Sequence, residues 1–140
     1  MSRGFSLAGL LRVRQLAERR AAGELAAANA AVRGNRRQRE QALAQLHGTG
    51  EDPVDSGSLL AIAAARSAGR AALADLQALD ARLVQEAERA AERYQVARSE
   101  LKAVEKLEER HQQQERTEQL RTEQQLLDEM AGTTARKGHT

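Results

Sequence analysis

Three side chains in this sequence stand at a spacing that could do chemistry. Glu108, His111 and Glu115 fall three and four residues apart, so on a helix they share one face. Carboxylates flanking an imidazole are metal-ligating types. A zinc-binding helix, however, carries a second His one turn from the first, and none is present. The group is therefore read as a His among solvated Glu residues. His47 suits the last turn of a helix, where a cation meets the negative end of the dipole, and His139 falls in the terminal tail. No phosphate-cradling Gly loop and no Ser/His/Asp set can be assembled. The sequence thus implies no catalytic residue, no metal and no cofactor.

Two basic clusters call for the same weighing. Arg33, Arg36, Arg37 and Arg39 look like a basic region, and continuous basic helices do enter the DNA major groove. Here they stand mid-helix beside a turn, no aromatic residue accompanies them for base stacking, and 22 basic residues are nearly balanced by 20 acidic ones. They are read as a solvated or intramolecularly paired face, without a nucleic-acid partner. Phe5, Leu7, Leu10 and Leu11, followed by Arg12 and Arg14, could rest on a membrane surface, but serve equally as the first turns of a helix-packing seam. The seam is preferred. Because Arg12 and Arg14 follow at once with no small-residue cleavage pattern, these residues are not read as a signal peptide. The longest uncharged apolar run, about Leu59 to Ala65, is far short of the roughly 20 residues of a membrane span. With no Cys in the chain, the expectation is a soluble, cytoplasmic protein.

The elements that hold these side chains follow from composition. Ala (28) and Leu (18), with Glu, Lys and Arg, make up 59% of the 140 residues, against one Ile, six Val, one Phe, one Tyr and no Trp. That balance points to long helices and leaves too few β-branched and aromatic residues to face a sheet. Small methyl groups bury little surface, so the thick core around an enzyme cleft is not expected either. The strong turn cluster is Gly48 to Gly57, holding the sole Pro. The reading is all-α: one domain over residues 1–131, with a helix at 6–47, a turn at 48–55, a helix at 56–131 and a flexible tail at 132–140. Ser6 is the expected N-cap, with Phe5 and Leu10 as a hydrophobic staple. Gly48 is the expected left-handed C-terminal cap, and Asp55 or Ser56 caps the second helix.

Heptad counting finds a seam on each helix. The first carries Leu7, Leu11, Arg14, Glu18, Ala21, Leu25, Ala28, Val32, Asn35, Arg39, Ala42 and Leu46. The second carries Leu59, Ile62, Arg66, Gly69, Leu73, Leu76, Asp80, Leu83, Ala87, Ala90, Tyr94, Ala97, Leu101 and Val104. Residues 1–47 hold nine Arg and three Glu, whereas residues 55–131 hold 11 basic and 15 acidic residues. Opposite charge favours side-by-side pairing in an antiparallel coiled-coil hairpin. Folding about residue 52 sets 47 against 57 and 6 against 98, and leaves the second helix overhanging from about Ser99. From Glu108 to Gln125 that overhang carries a single Leu, before Leu126, Leu127 and Met130. A helix polar on every face with an apolar tip is either frayed or built for a partner, and the partner is preferred.

Both ends resemble a known family. Phe5-Ser6-Leu7-Ala8-Gly9-Leu10-Leu11-Arg12-Val13-Arg14, with Glu18 and Leu25-Ala26, is similar to the opening of the FliJ family of flagellar type III export proteins. Leu101-Lys102-Ala103-Val104-Glu105-Lys106-Leu107-Glu108-Glu109-Arg110 and Glu123-Gln124-Gln125-Leu126-Leu127-Asp128-Glu129-Met130-Ala131 resemble its terminal run. Gln112-Gln113-Gln114 and the Ala- and Arg-rich middle depart from the family pattern. The resemblance implies a non-catalytic coiled-coil stalk whose partners are the flagellar export ATPase hexamer, the export gate membrane protein and export chaperones. It implies a place in the cytoplasm, peripheral to the inner membrane at the flagellar basal body. It also implies ring-facing contacts at Phe5, Leu7, Leu11, Arg14, Leu107, Arg110, Leu126, Leu127, Asp128 and Met130, with gate contacts on the hairpin side. A homologous stalk of a virulence secretion system, or a purely structural self-associating coiled coil, are the alternatives.

Overall fold

The computed structural model describes residues 3–48 and 54–138, and the side chains of 7–48, 54–136 and 138. The fold is all-α: helix α1 (Arg3–Gly48) and helix α2 (Ser56–Gly138) pack against each other as an antiparallel hairpin. Among the described residues only Val54 and Asp55 lie outside these helices, and there is no strand.

Helix ends differ from expectation where a weak local signal competes with continued helix. α1 is already helical at Arg3, so Ser6 lies inside it and is no N-cap. A side-chain cap contributes only about 1 kcal/mol, too little to stop a helix that the preceding residues can extend. The side chains of Phe5 and Ser6 lie outside those described. Gly48 closes α1 in right-handed conformation, since no described Gly has positive φ. The cap on α2 is Asp55: its Oδ1 accepts the Ser58 amide at 2.6 Å, and its carbonyl accepts the Leu59 amide at 3.0 Å. α2 then runs through Gly132-Thr133-Thr134, where the sequence reading stops it. The two Thr hydroxyls donate back to the Glu129 and Met130 carbonyls at 2.9 Å, which leaves no polar group competing for the backbone.

Two compact units are distinguished: Ala17–Ala97, and Met1–Leu16 with Arg98–Thr140. In the first, Leu46 seats on Gly69, where an added Cβ would lie 3.1 Å from Leu46 Cδ1. Stepping both seams away from that contact pairs Ala42 with Leu73, Leu25 with Ala90 and Ala21 with Tyr94. A large residue thus faces a small one, which lets the helices approach closely. Ala21, Val32, Asn35 and Ala90 are the buried residues of this unit. Arg36 Nε donates to Asp80 Oδ1 at 3.2 Å, and Arg93 Nε lies 3.8 Å from Glu24 Oε2. In the second unit Arg14 meets Glu100, Val104 is buried, and Leu7 and Leu11 are half-buried.

The seam expectation holds at all twelve α1 positions and at all but two on α2, which are half-buried or buried. Leu59 and Arg66 are exposed instead. The register explains this, because Leu46 faces Gly69, so the first turns of α2 reach past the end of α1. The expected pairing of 47 with 57 and 6 with 98 is therefore displaced by about three helical turns. Arg14 beside Glu100 shows the same displacement near the N-terminus. The unpaired part of α2 begins after half-buried His111, not at Ser99.

Two measurements test these local assignments. Gly23 is exposed and nothing lies within 4 Å of an added Cβ. Gly23→Ala should therefore raise unfolding stability by about 0.5–1 kcal/mol in urea titration. The Asp55 carboxyl is held below the ordinary carboxylate range, first by the Ser58 amide and then by the Ser58 hydroxyl. A depressed folded pKa means that the cap is fully present above the ordinary value and is lost as pH falls through the folded one. Protection of the Ser58 amide, as its exchange rate relative to the intrinsic rate at each pH, should thus fall as pH drops below the ordinary carboxylate range, and Asp55→Asn should remove that pH dependence.

Candidate functional site

All ten ring-facing candidates fall in the unit formed by Met1–Leu16 and Arg98–Thr140. The structure sorts them into two kinds. Leu7, Leu11 and Arg14 are half-buried on the seam, and Arg14 Nη1 donates to Glu100 Oε2 at 2.6 Å. They hold α1 to α2 and offer little surface to anything else. Leu107, Arg110, Leu126, Leu127, Asp128 and Met130 are exposed. Asp128 accepts a hydrogen bond from Gln124 Nε2 at 3.2 Å, one turn away. Phe5 lies outside the described side chains.

Residues 112–136 are exposed on every face, so nothing among the described residues covers the apolar side chains there. Leu120, Leu126, Leu127 and Met130 are 66%, 58%, 60% and 60% exposed. Taking 100° per residue, Leu120, Leu127 and Met130 lie roughly a quarter to a half turn away from the line Val104–Glu108–His111 that faces α1. The apolar stripe of the distal segment is thus rotated off the seam. Sequence reading had Leu126, Leu127 and Met130 but passed over Leu120. The signal that finds it is the seven-residue step from Leu120 to Leu127, out of phase with the seam.

A second exposed apolar row was also missed as a surface. Leu10, Val13 and Leu16 stand one helical turn apart on the side of α1 away from the seam, Val13 and Leu16 each 60% exposed. Arg12, Arg19 and Arg20 are exposed among or next to them. In this region α1 is therefore apolar on two sides, and only one of them is covered.

Glu108, His111 and Glu115 do come onto one face. His111 Nε2 lies 3.1 Å from Glu115 Oε1, and Glu108 and His111 are half-buried as the last steps of the seam. Among the described residues there is no group of three metal-ligating side chains close enough to hold an ion. Arg36 of the basic cluster is committed to Asp80. Among the described residues no helix is long and apolar enough to cross a membrane. Concave spots along α2 include one formed by Arg110, Gln113, Gln114, Thr117, Glu118 and Arg121.

Fold and surface together define a two-helix coiled coil whose second helix continues into a segment that the other described residues leave uncovered. A family model described as Flagellar FliJ protein matches residues 3–139. The chain belongs to the FliJ family and so to the proteins of flagellar type III export. No curated protein and no solved structure shows a match to the chain.

The Arg14–Glu100 pair is partly solvated, with side-chain exposures of 37% and 45%. A double-mutant cycle on Arg14→Ala and Glu100→Ala should return a coupling of about 0.2–1 kcal/mol that shrinks with added salt.

Proposed function

We propose that this chain is the non-catalytic stalk of the flagellar export ATPase complex. In this reading it promotes assembly and activity of the ATPase ring, engages the export gate and escorts export chaperones, on the cytoplasmic side of the inner membrane at the basal body. The observation that carries the reading is the distal segment of α2. Its residues 112–136 are helical, exposed on every face, and bear Leu120, Leu126, Leu127 and Met130. A helix that leaves such side chains uncovered gains free energy when a partner covers them, at about 25 cal/mol per Å² of apolar surface removed from water.

The ring contact then falls on the exposed members of the terminal unit: Leu107, Arg110, Leu126, Leu127, Asp128 and Met130, joined by Leu120. On α1 it shifts from the seam residues to Leu10, Val13 and Leu16 beside Arg12. Leu7, Leu11 and Arg14 act through the seam, by holding the two helices together. Gate contact falls to the hairpin side, where Leu59 and Leu60 are exposed.

The test is stimulation of the cognate ATPase by the full chain. Leu127→Asp with Met130→Asp should lower stimulation about tenfold, as expected when anchors near the centre of a contact are lost. Val96→Asp, at an exposed position in the other unit, should leave it unchanged. Circular dichroism of both variants should match the parent. Unchanged stimulation in the Leu127/Met130 variant overturns the assignment of the distal segment. A salt-insensitive dimer in light scattering over a concentration series would favour a self-associating structural coiled coil instead.

A further inference from the structure

The Ala-rich seam does not fix its own register. Slide α2 by one heptad so that Leu25 meets Ala97 in place of Ala90. Ala28 then meets Tyr94 and Val32 meets Ala90, so large residues still face small ones. Packing of this kind discriminates poorly between the two arrangements, and a coiled coil with a degenerate seam needs some other feature to choose between them.

Apart from Leu46, which would leave Gly69 for Leu76, one layer does not survive the slide. Asn35 is 5% exposed, and its Nδ2 donates to the Leu76 carbonyl at 2.9 Å. Stepping from Leu46–Gly69 places Asn35 in the same layer as Asp80, whose Oδ1 accepts from Arg36 Nε at 3.2 Å. Asn35 is the one buried polar residue of the seam among those described, and Asp80 is the one acidic residue on the α2 seam between Gly69 and Val104. They fall opposite each other in this register alone among heptad-related ones. Shifted by seven residues, Asn35 would face Ala87 or Leu73, and Asp80 would face Ala42 or Ala28, each carrying a polar group into an apolar layer.

The layer is costly for what it contributes to stability. Asn35 Oδ1 is buried and accepts no hydrogen bond from any described group, and an unmet acceptor of that kind is destabilising. An apolar pair of matching size would pack without that penalty. A feature that costs stability, occurs once among the described layers and keeps its polar side chains in one layer only in the observed pairing discriminates between registers.

We infer that the Asn35–Asp80 layer, tied by Arg36, is the register key of the hairpin. It decides which turn of α2 faces which turn of α1 within Ala17–Ala97. A slide of one heptad would move one helix along the other by about 10.5 Å, at 1.5 Å per residue, or about two helical turns. The inference concerns the hairpin itself and stands or falls separately from the ATPase reading.

The chain has no Cys, so engineered pairs report the register without interference. In the full chain, Leu25→Cys is combined either with Ala90→Cys, which reports the observed register, or with Ala97→Cys, which reports the slid one. Oxidation should close the first pair and not the second. Asn35→Leu with Asp80→Ala then replaces the polar layer by a large–small layer that fits both registers. In this background the disulfide reporting the slid register should rise at least about tenfold, while helicity is kept and the melting temperature is unchanged or higher. If only the pair reporting the observed register closes in that background, the inference is overturned. Loss of helicity would overturn it too, because the layer would then supply stability in place of register.

Discussion

Everything in this hairpin depends on how closely two helices with few large side chains can approach. An Ala methyl buries little area, so each layer contributes little, and the favourable terms add only if many layers form together. Setting Leu25 against Ala90, Ala21 against Tyr94 and Leu46 into the space above Gly69 achieves this. At these layers a large side chain faces a small one, and few of the described residues are buried. A seam of this kind is long by necessity, since its stability must be collected over many turns. It is also repetitive by necessity, and repetition is what makes register a separate problem from pairing.

The faces of both helices were legible in the sequence; their alignment was not. Heptad spacing alone places Leu7 through Leu46 on the buried side of α1 and Ile62 through Val104, Arg66 apart, on that of α2, as observed. A displacement of three helical turns keeps the same face inward, so periodicity is blind to it. The expected fold about residue 52 rests on the sole Pro and a run of Gly, which mark where the chain leaves the helix but not how far it travels before it returns. The information that sets the alignment lies in single unlike residues: Gly69 opposite Leu46, and Asp80 in the layer of Asn35. In a list of heptad positions these appear as defects of the seam.

The candidate site was half legible for a related reason. Leu7, Leu11, Leu126 and Leu127 are all apolar residues at helical spacing, and sequence treats them alike. Structure separates them by whether the chain itself covers them. Leu7 and Leu11 are half-buried by α2, whereas Leu126 and Leu127 have nothing opposite among the described residues. The discriminating sign was present but faint. After His111 the seam positions turn polar, with Glu115, Glu118, Thr122, Gln125 and Glu129 in succession, while Leu120 and Leu127 take up a different face. A stripe that stops and resumes out of phase marks the end of self-packing more sharply than a fall in apolar content does. Val13 and Leu16 carry the same sign on α1, out of phase with Leu11, Arg14 and Glu18.

An uncovered helix must also hold its helical form without a packing partner, and the composition of the distal segment favours that. Long unbranched Gln, Glu and Arg side chains lose little rotamer freedom in a helix, and its Thr residues bond back to carbonyls four residues earlier: Thr117 to Gln113, Thr122 to Glu118, Thr133 to Glu129 and Thr134 to Met130. A partner that meets a preformed helix does not have to order its backbone, a cost of about 1–2 kcal/mol per residue for a disordered segment. Over the seven residues from Leu120 to Leu126 alone, that cost would exceed what covering Leu120 and Leu126 returns, about 1.5–3 kcal/mol for each side chain fully buried. The helix is therefore what makes so sparse an apolar stripe usable as a contact.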